Sequence, residues 1–110
     1  MFRSAAVALI CLAAVPALAQ NSPAAKETRE QRAERCGIQT GIVEAAIEHR
    51  TKKRSQKRAT RKVLKSDPIK GTKYEANVDV LVAWIYTLPD GHLNADTIST
   101  FEQACLKFDG

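Results

Sequence analysis

YEANVDVLVAWIYTL, residues Tyr74–Leu88, is a nearly continuous apolar run, and the rest of the chain has to cover it. Beyond the first turn its only charged residue is Asp79. Thr72 and Glu75 have the spacing of a reciprocal N-terminal capping box, and Pro89 ends the run. Because a helix that is apolar on every side is a buried helix, the run predicts a helix in the middle of a core.

The same run also has the alternation of a strand. Large apolar residues occupy every second position from Val78 to Tyr86, and a strand buried on both faces is itself an apolar run. The length of the run, its capping box and the helical patterns on either side favour a helix. We therefore predict an all-α fold, a small four-helix domain with orthogonal or bundle-like packing. Its helices are expected at about 24–49, 55–65, 73–88 and 95–107.

The N-terminus has the pattern of an export signal. Arg3 is a positive n-region, Ala5–Val15 is an apolar h-region, and Ala17–Ala19 is a small-residue cleavage site. Cys11 lies within the h-region and is expected to be removed with it. Cleavage after Ala19 would leave residues 20–110 as a single periplasmic or secreted domain with no transmembrane helix.

Two cysteines remain in the mature chain, Cys36 and Cys105. An even number of cysteines in a small exported domain predicts a disulfide. Neither belongs to a CxxC pair or a histidine cluster, so a redox or metal-binding role is the weaker interpretation. The bridge would join the first predicted helix to the last, and so staple a core that is marginal at this chain length.

The segment Arg50–Lys65 carries nine Lys and Arg residues and no acidic residue. The rest of the mature chain has seven Lys and Arg against twelve Asp and Glu, so a segment of charge +9 contrasts with a body of charge −5. The candidate residues for binding an anionic partner are Arg50, Lys52, Lys53, Arg54, Lys57, Arg58, Arg61, Lys62 and Lys65.

The basic segment has several possible roles, and the simplest is a solvated arm paired with the acidic body. An acidic protein is the partner that requires the fewest additional features, because opposite charges alone raise association rate and selectivity. Nucleic acid is less favoured, because the segment has no aromatic residue to stack on bases. Lipopolysaccharide and other anionic envelope components are further alternatives.

The basic segment also predicts a break between helices. An unbroken helix would stack like charges at every fourth residue, which is unfavourable. We expect the break near Thr51–Ser55, with Ser55 as the N-cap of a short second helix. Asn94 is the expected N-cap of the last helix.

A row of small residues runs along the first predicted helix, at Ala33, Gly37, Gly41 and Ala45. Because glycine weakens a helix interior, such a row predicts a close crossing with another helix, for which Tyr74–Leu88 is the candidate.

The sequence lacks the residue patterns of a catalytic site. His49 and His92 are isolated and do not have zinc-ligand spacing, and no serine lies in a nucleophile elbow. No glycine-rich loop follows a strand, so nucleotide binding is unsupported. We expect a non-enzymatic protein with no cofactor and no metal.

Export, about 90 mature residues, four helical patterns and one long-range cysteine pair together resemble two bacterial periplasmic groups. One is the acid-stress chaperones of the HdeA type, and the other is the helical immunity proteins that block cell-wall amidases delivered by type VI secretion. The similarity is architectural, rests on no shared motif and carries no site residue over. It implies two alternatives to the basic-segment binding protein, a chaperone and an inhibitor of an amidase.

Overall fold

The computed structural model describes residues 26–108. This range is all-α, with α1 at Arg29–Thr51, α2 at Gln56–Leu64, α3 at Glu75–Thr87 and α4 at Ala95–Lys107. A single 3₁₀ turn, Asp90–His92, lies between α3 and α4, and there is no strand in the described range. The predicted all-α class with four helices is confirmed. The proposed export signal, its Cys11 and the cleavage after Ala19 lie outside the described residues.

Within residues 26–108, no helix has the length and apolar character that a membrane crossing requires.

The longest helix, α1, starts later than its sequence pattern indicates. The Thr28 hydroxyl accepts a hydrogen bond from the Gln31 backbone at 3.0 Å, and the Gln31 side chain accepts one from the Thr28 backbone at 2.8 Å. This capping box starts the helix at Arg29. The predicted start near residue 24 is therefore wrong, because residues 26–28 lie before the helix. α1 packs against all three other helices and is therefore the central helix of the fold.

The core lies where α1, α2 and α3 meet. Its fully buried side chains include Ile42 and Val43 from α1 and Val78, Val82 and Ile85 from α3. The short helix α2 contributes two further buried residues, Ala59 and Val63. Three helices therefore share one core, and each buries a single stripe of side chains in it.

The helix α3 is buried on one side only, which corrects the prediction of a helix surrounded by core. Val80 is 62% exposed and Trp84 is 36% exposed, although Val78, Val82 and Ile85 are completely buried. The reason is the number of helices available. α1 and α2 pack against the inner side of α3, while α4 packs mainly against α1 and leaves the outer side of α3 uncovered.

The N-terminus of α3 uses the predicted capping residues in a different way. The Thr72 hydroxyl accepts a hydrogen bond from the Tyr74 backbone at 3.1 Å, and the Glu75 carboxylate accepts one from the Gly71 backbone at 2.6 Å. The reciprocal Thr72–Glu75 box is therefore replaced by two separate bonds. Gly71 has a φ of +77°, a left-handed conformation that favours glycine, and this turn presents its N–H to Glu75.

The predicted disulfide is confirmed: Cys36 and Cys105 are bonded and join α1 to α4. Both residues are buried. Cys105 is the only buried residue of α4, so the bridge is the deepest contact that this helix makes.

The predicted break between the first two helices is also confirmed. α1 ends at Thr51, Lys53 adopts a left-handed φ of 63°, and the Ser55 hydroxyl caps α2 by accepting a hydrogen bond from the Arg58 backbone at 3.1 Å. Asn94 caps α4 in the same way, as its spacing predicts.

The predicted close crossing at the glycine row is wrong for the described residues. Gly37 and Gly41 are exposed, and a Cβ atom added to either would meet no atom within 4 Å. No neighbouring helix in this part of the chain therefore requires glycine at these positions.

Candidate anionic-partner interface

The basic segment folds around the outside of the domain, and its second half forms the helix α2. The hydroxyl cap at Ser55 and the buried residues Ala59 and Val63 hold this helix against α1 and α3. Because only one stripe of α2 is buried, its remaining sides are available to solvent. The cations on those sides, which we call the α2 basic face, are Lys57, Arg58, Arg61, Lys62 and Lys65.

In the part of the chain that the structure describes, the side chains of the α2 basic face have no partner. All five are exposed, and within residues 26–108 none forms a side-chain hydrogen bond or ion pair. The same holds for Lys53 in the preceding turn. Unpaired like charges on one short helix repel one another. Their combined electrostatic field would attract an approaching acidic surface.

Arg50 has a structural role and does not belong to this face. Its guanidinium donates hydrogen bonds to the backbone carbonyls of Ile85, at 2.6 Å, and Leu88, and it forms an ion pair of 3.1 Å with Asp90. It also lies 5.9 Å from the centre of the Tyr86 ring. Arg50 therefore caps the C-terminus of α3 with a positive charge, where free carbonyls and the helix dipole favour one.

Two further candidate residues have partners close to the break. Lys52 pairs with Glu48 at 2.9 Å, and this lowers the pKa of the Glu48 carboxyl. The Arg54 guanidinium lies 2.8 Å from Nδ1 of His49. Of the nine predicted binding residues, the structure thus places Arg50, Lys52 and Arg54 in intramolecular contacts, and the other six are unpaired among residues 26–108.

The break is attached to the core by Tyr86. Its hydroxyl donates a hydrogen bond to the backbone carbonyl of Arg54 at 2.7 Å, and burial raises the pKa of the phenol. Together with the Arg50 contacts, this bond connects the start of the basic helix to α3. The α2 basic face is consequently presented on a supported helix, which lowers the ordering cost of binding.

The environment of His49 predicts that the fold loses stability in mild acid. Burial lowers its pKa below the ordinary value of 6.5, and the charge of Arg54 acts in the same direction. Glu48 opposes them, while Lys62 and Lys52 lower the pKa by smaller amounts. The unfolded chain then binds a proton at this histidine more readily than the folded chain does. The free energy of unfolding therefore keeps its full His49 contribution above about pH 6.5 and decreases as His49 becomes protonated at lower pH.

We expect the His49→Gln variant to lose less stability than the wild type between about pH 7 and pH 5. Urea unfolding at both pH values measures the difference. His92→Gln, which removes an exposed histidine, serves as the control and should behave as the wild type does. Equal losses in the wild type and the His49→Gln variant would contradict the assignment.

An apolar groove between α3 and α4 is a surface that sequence reasoning missed. It has a volume of about 420 Å³ and is lined by Trp84, Leu88, Phe101 and Ala104, with His92 and Asp96 at its edge. The Trp84 and Phe101 rings lie 5.8 Å apart across it. The apolar outer positions of α3 are the signal for this groove in the sequence, but a run that is apolar on every side predicts a buried helix instead.

The described residues contain no group of three or more side chains that could hold a metal ion.

No protein-family model, curated protein or solved structure matches this chain.

Proposed function

We propose that this chain is a small exported binding protein, without enzymatic activity, that engages an acidic protein of the bacterial envelope through the α2 basic face. The observation that carries this proposal is a supported helix with five exposed cations, none of which is paired within residues 26–108. A solvated arm that neutralised the acidic body would instead show these cations in intramolecular ion pairs.

The geometry of the face favours a protein partner over nucleic acid. Lys57 and Lys65 are separated by about 12 Å along the helix, at 1.5 Å per residue. That length suits a patch of a few carboxylates, and the exposed sides of α2 carry no aromatic residue on which a base could stack. Charge complementarity of this kind acts mainly on association rate and on the choice of partner.

The test is a pull-down from an envelope extract with a variant in which Lys57, Arg58, Arg61, Lys62 and Lys65 are all replaced by glutamine, a residue that retains helix propensity. We expect acidic proteins captured by the wild type to be lost. The affinity for a purified member of that set should fall at least about tenfold, and added salt should weaken the wild-type complex.

The matched control removes the same charge elsewhere, by glutamine replacement of Lys26, Arg29, Lys70, Lys73 and Lys107, all of which are exposed. Its captured proteins should match those of the wild type. If both variants lose the same proteins, net charge rather than the α2 basic face is responsible. If neither loses any, the proposed function is wrong.

A periplasmic chaperone of the HdeA kind is the second candidate, and the apolar groove between α3 and α4 favours it. Three large apolar side chains are exposed, Val80 and Trp84 on α3 and Phe108 directly after α4, and surfaces of this type bind unfolded segments. Suppression of client aggregation at acidic pH by the wild type, and its loss in Trp84→Ser, would support this function over the first.

A further inference from the structure

A second groove, with a volume of about 350 Å³, separates α1 from the connection that follows α2. Its α1 side includes Gly37, Gly41 and Ala45, and its opposite side includes Val63, Pro68 and Ile69. We call it the glycine groove. It is apolar, and Ile38 and Ile42 also line its α1 side.

The α1 side of the glycine groove is acidic. Glu34 lies three residues before Gly37, and Glu44 lies three residues after Gly41, so both share the outer face of α1 with the glycines. Glu30 continues this face by one turn. All three carboxylates are exposed, and none has an ion pair in the part of the chain that the structure describes.

The opposite side of the groove is basic. Val63 and Ser66 line it, and the exposed cations nearest to them on the α2 basic face are Lys62 and Lys65, with Arg58 one turn before Lys62. Lys62 directly precedes Val63, which is buried and lines the groove.

We infer that two copies of this chain associate across the glycine groove, with the acidic face of α1 in each copy against Arg58, Lys62 and Lys65, the groove side of the α2 basic face, in the other. A patch that has an apolar centre, one acidic half and one basic half is complementary to itself in charge when rotated by half a turn about its centre. This inference rests on the proposed function in one respect, the binding of an acidic protein surface by the α2 basic face. Here that acidic surface belongs to a second copy of the chain.

The exposed glycines gain a role in this arrangement. Glycine in a helix interior is less favourable than alanine, and no described residue approaches Gly37 or Gly41. A second copy centred on the groove would approach the α1 backbone at these two positions, where a side chain would hold it away.

Sedimentation velocity across a concentration series tests the inference. We expect the wild type to dimerise at low salt and to dissociate at about 1 M salt, where the Debye length falls to about 3 Å. Glu34→Lys/Glu44→Lys and Arg58→Glu/Lys62→Glu should each raise the dissociation constant at least about tenfold. An equimolar mixture of these two variants should restore the dimer, because every contact then joins opposite charges.

Lys57→Glu/Arg61→Glu is the control for charge reversal, and it should dimerise as the wild type does. The helical period places these two residues opposite the buried stripe of Ala59 and Val63, and Val63 lines the groove. Gly37→Leu/Gly41→Leu should keep or raise the melting temperature, because leucine favours helix, and should still abolish the dimer. Gly91→Ala, also at a glycine with open space, should change neither property.

A wild type that stays monomeric at low salt, or a variant mixture that does not restore the dimer, would overturn the inference. The two proposals fail separately. A monomeric wild type that still captures acidic proteins through the α2 basic face leaves the proposed function standing. If the wild type dimerises and the mixture of charge-reversed variants restores the dimer, the inference stands. It stands even if neutralising the α2 basic face changes none of the other proteins captured in the pull-down.

Discussion

Removing the Cys36–Cys105 bridge by replacing both residues with alanine is expected to lower the free energy of unfolding by about 4 kcal/mol. The two residues are separated by 69 positions, so the bond removes a large closure entropy from the unfolded chain. The loss is a large fraction of the total, because domains of this size are stable by about 5–15 kcal/mol. Alanine is chosen because a serine hydroxyl at the fully buried Cys36 would add a desolvation penalty.

Thermal unfolding followed by circular dichroism measures this effect, and the melting temperature should fall by about 20 °C. The wild type with its disulfide reduced is the control and should fall by a similar amount. Because α4 buries no other residue, its amides should also exchange with solvent sooner than those of α1 and α3 in the variant. A decrease of only about 5 °C would show that helix packing, rather than the bridge, holds α4 in place.

Replacing Arg50 with methionine is expected to cost about 2–3 kcal/mol. Methionine keeps the apolar stem but removes the hydrogen bonds to the Ile85 and Leu88 carbonyls, which end α3. The carbonyl bonds should account for most of the loss. The Asp90 side chain is 95% exposed, and exposed ion pairs contribute little.

Urea unfolding of Arg50→Met, Asp90→Asn and Arg61→Met separates these contributions. Asp90→Asn should lose less than about 1 kcal/mol. Arg61→Met, at an exposed and unpaired arginine, should change stability by less than about 0.5 kcal/mol. Equal losses for Arg50→Met and Arg61→Met would mean that Arg50 is one more surface cation rather than the cap of α3.

Several features of the fold could be predicted because they depend on local chemistry or on a count. Ser55 and Asn94 cap helices through their own side chains and the next backbone N–H groups, so a few residues of sequence decide the outcome. The disulfide could be predicted because the sequence has two cysteines outside the proposed export signal. The break after Thr51 followed from like charges that an unbroken helix would stack.

The sidedness of α3 could not be predicted, because its sequence has no polar face to mark the exposed side. Val80 and Val82 are chemically identical, yet one is 62% exposed and the other is completely buried. Their difference depends on where α1 and α2 pack, which is set by contacts distant in sequence. Sidedness in an apolar helix is a property of its neighbours rather than of its own residues.

The same limit applies to the candidate interface. Arg50 and Arg61 both lie in one basic run, and composition treats them alike. Arg50 has its partners 35 and 38 residues away in the chain, on backbone carbonyls that have no sequence signature. Which cations of the basic segment have a structural role, and which are exposed to a partner, can therefore be decided only from the fold.

Trp84 is the only tryptophan of the chain, and it lies partly exposed at the mouth of the groove between α3 and α4. Indole emission responds to local polarity, so the intrinsic fluorescence of this protein reports on one defined place. A ligand that fills this groove would shift the emission to shorter wavelength, while a partner bound at α2 alone would leave the spectrum as it is. One optical signal thus distinguishes occupancy of the two surfaces without any label.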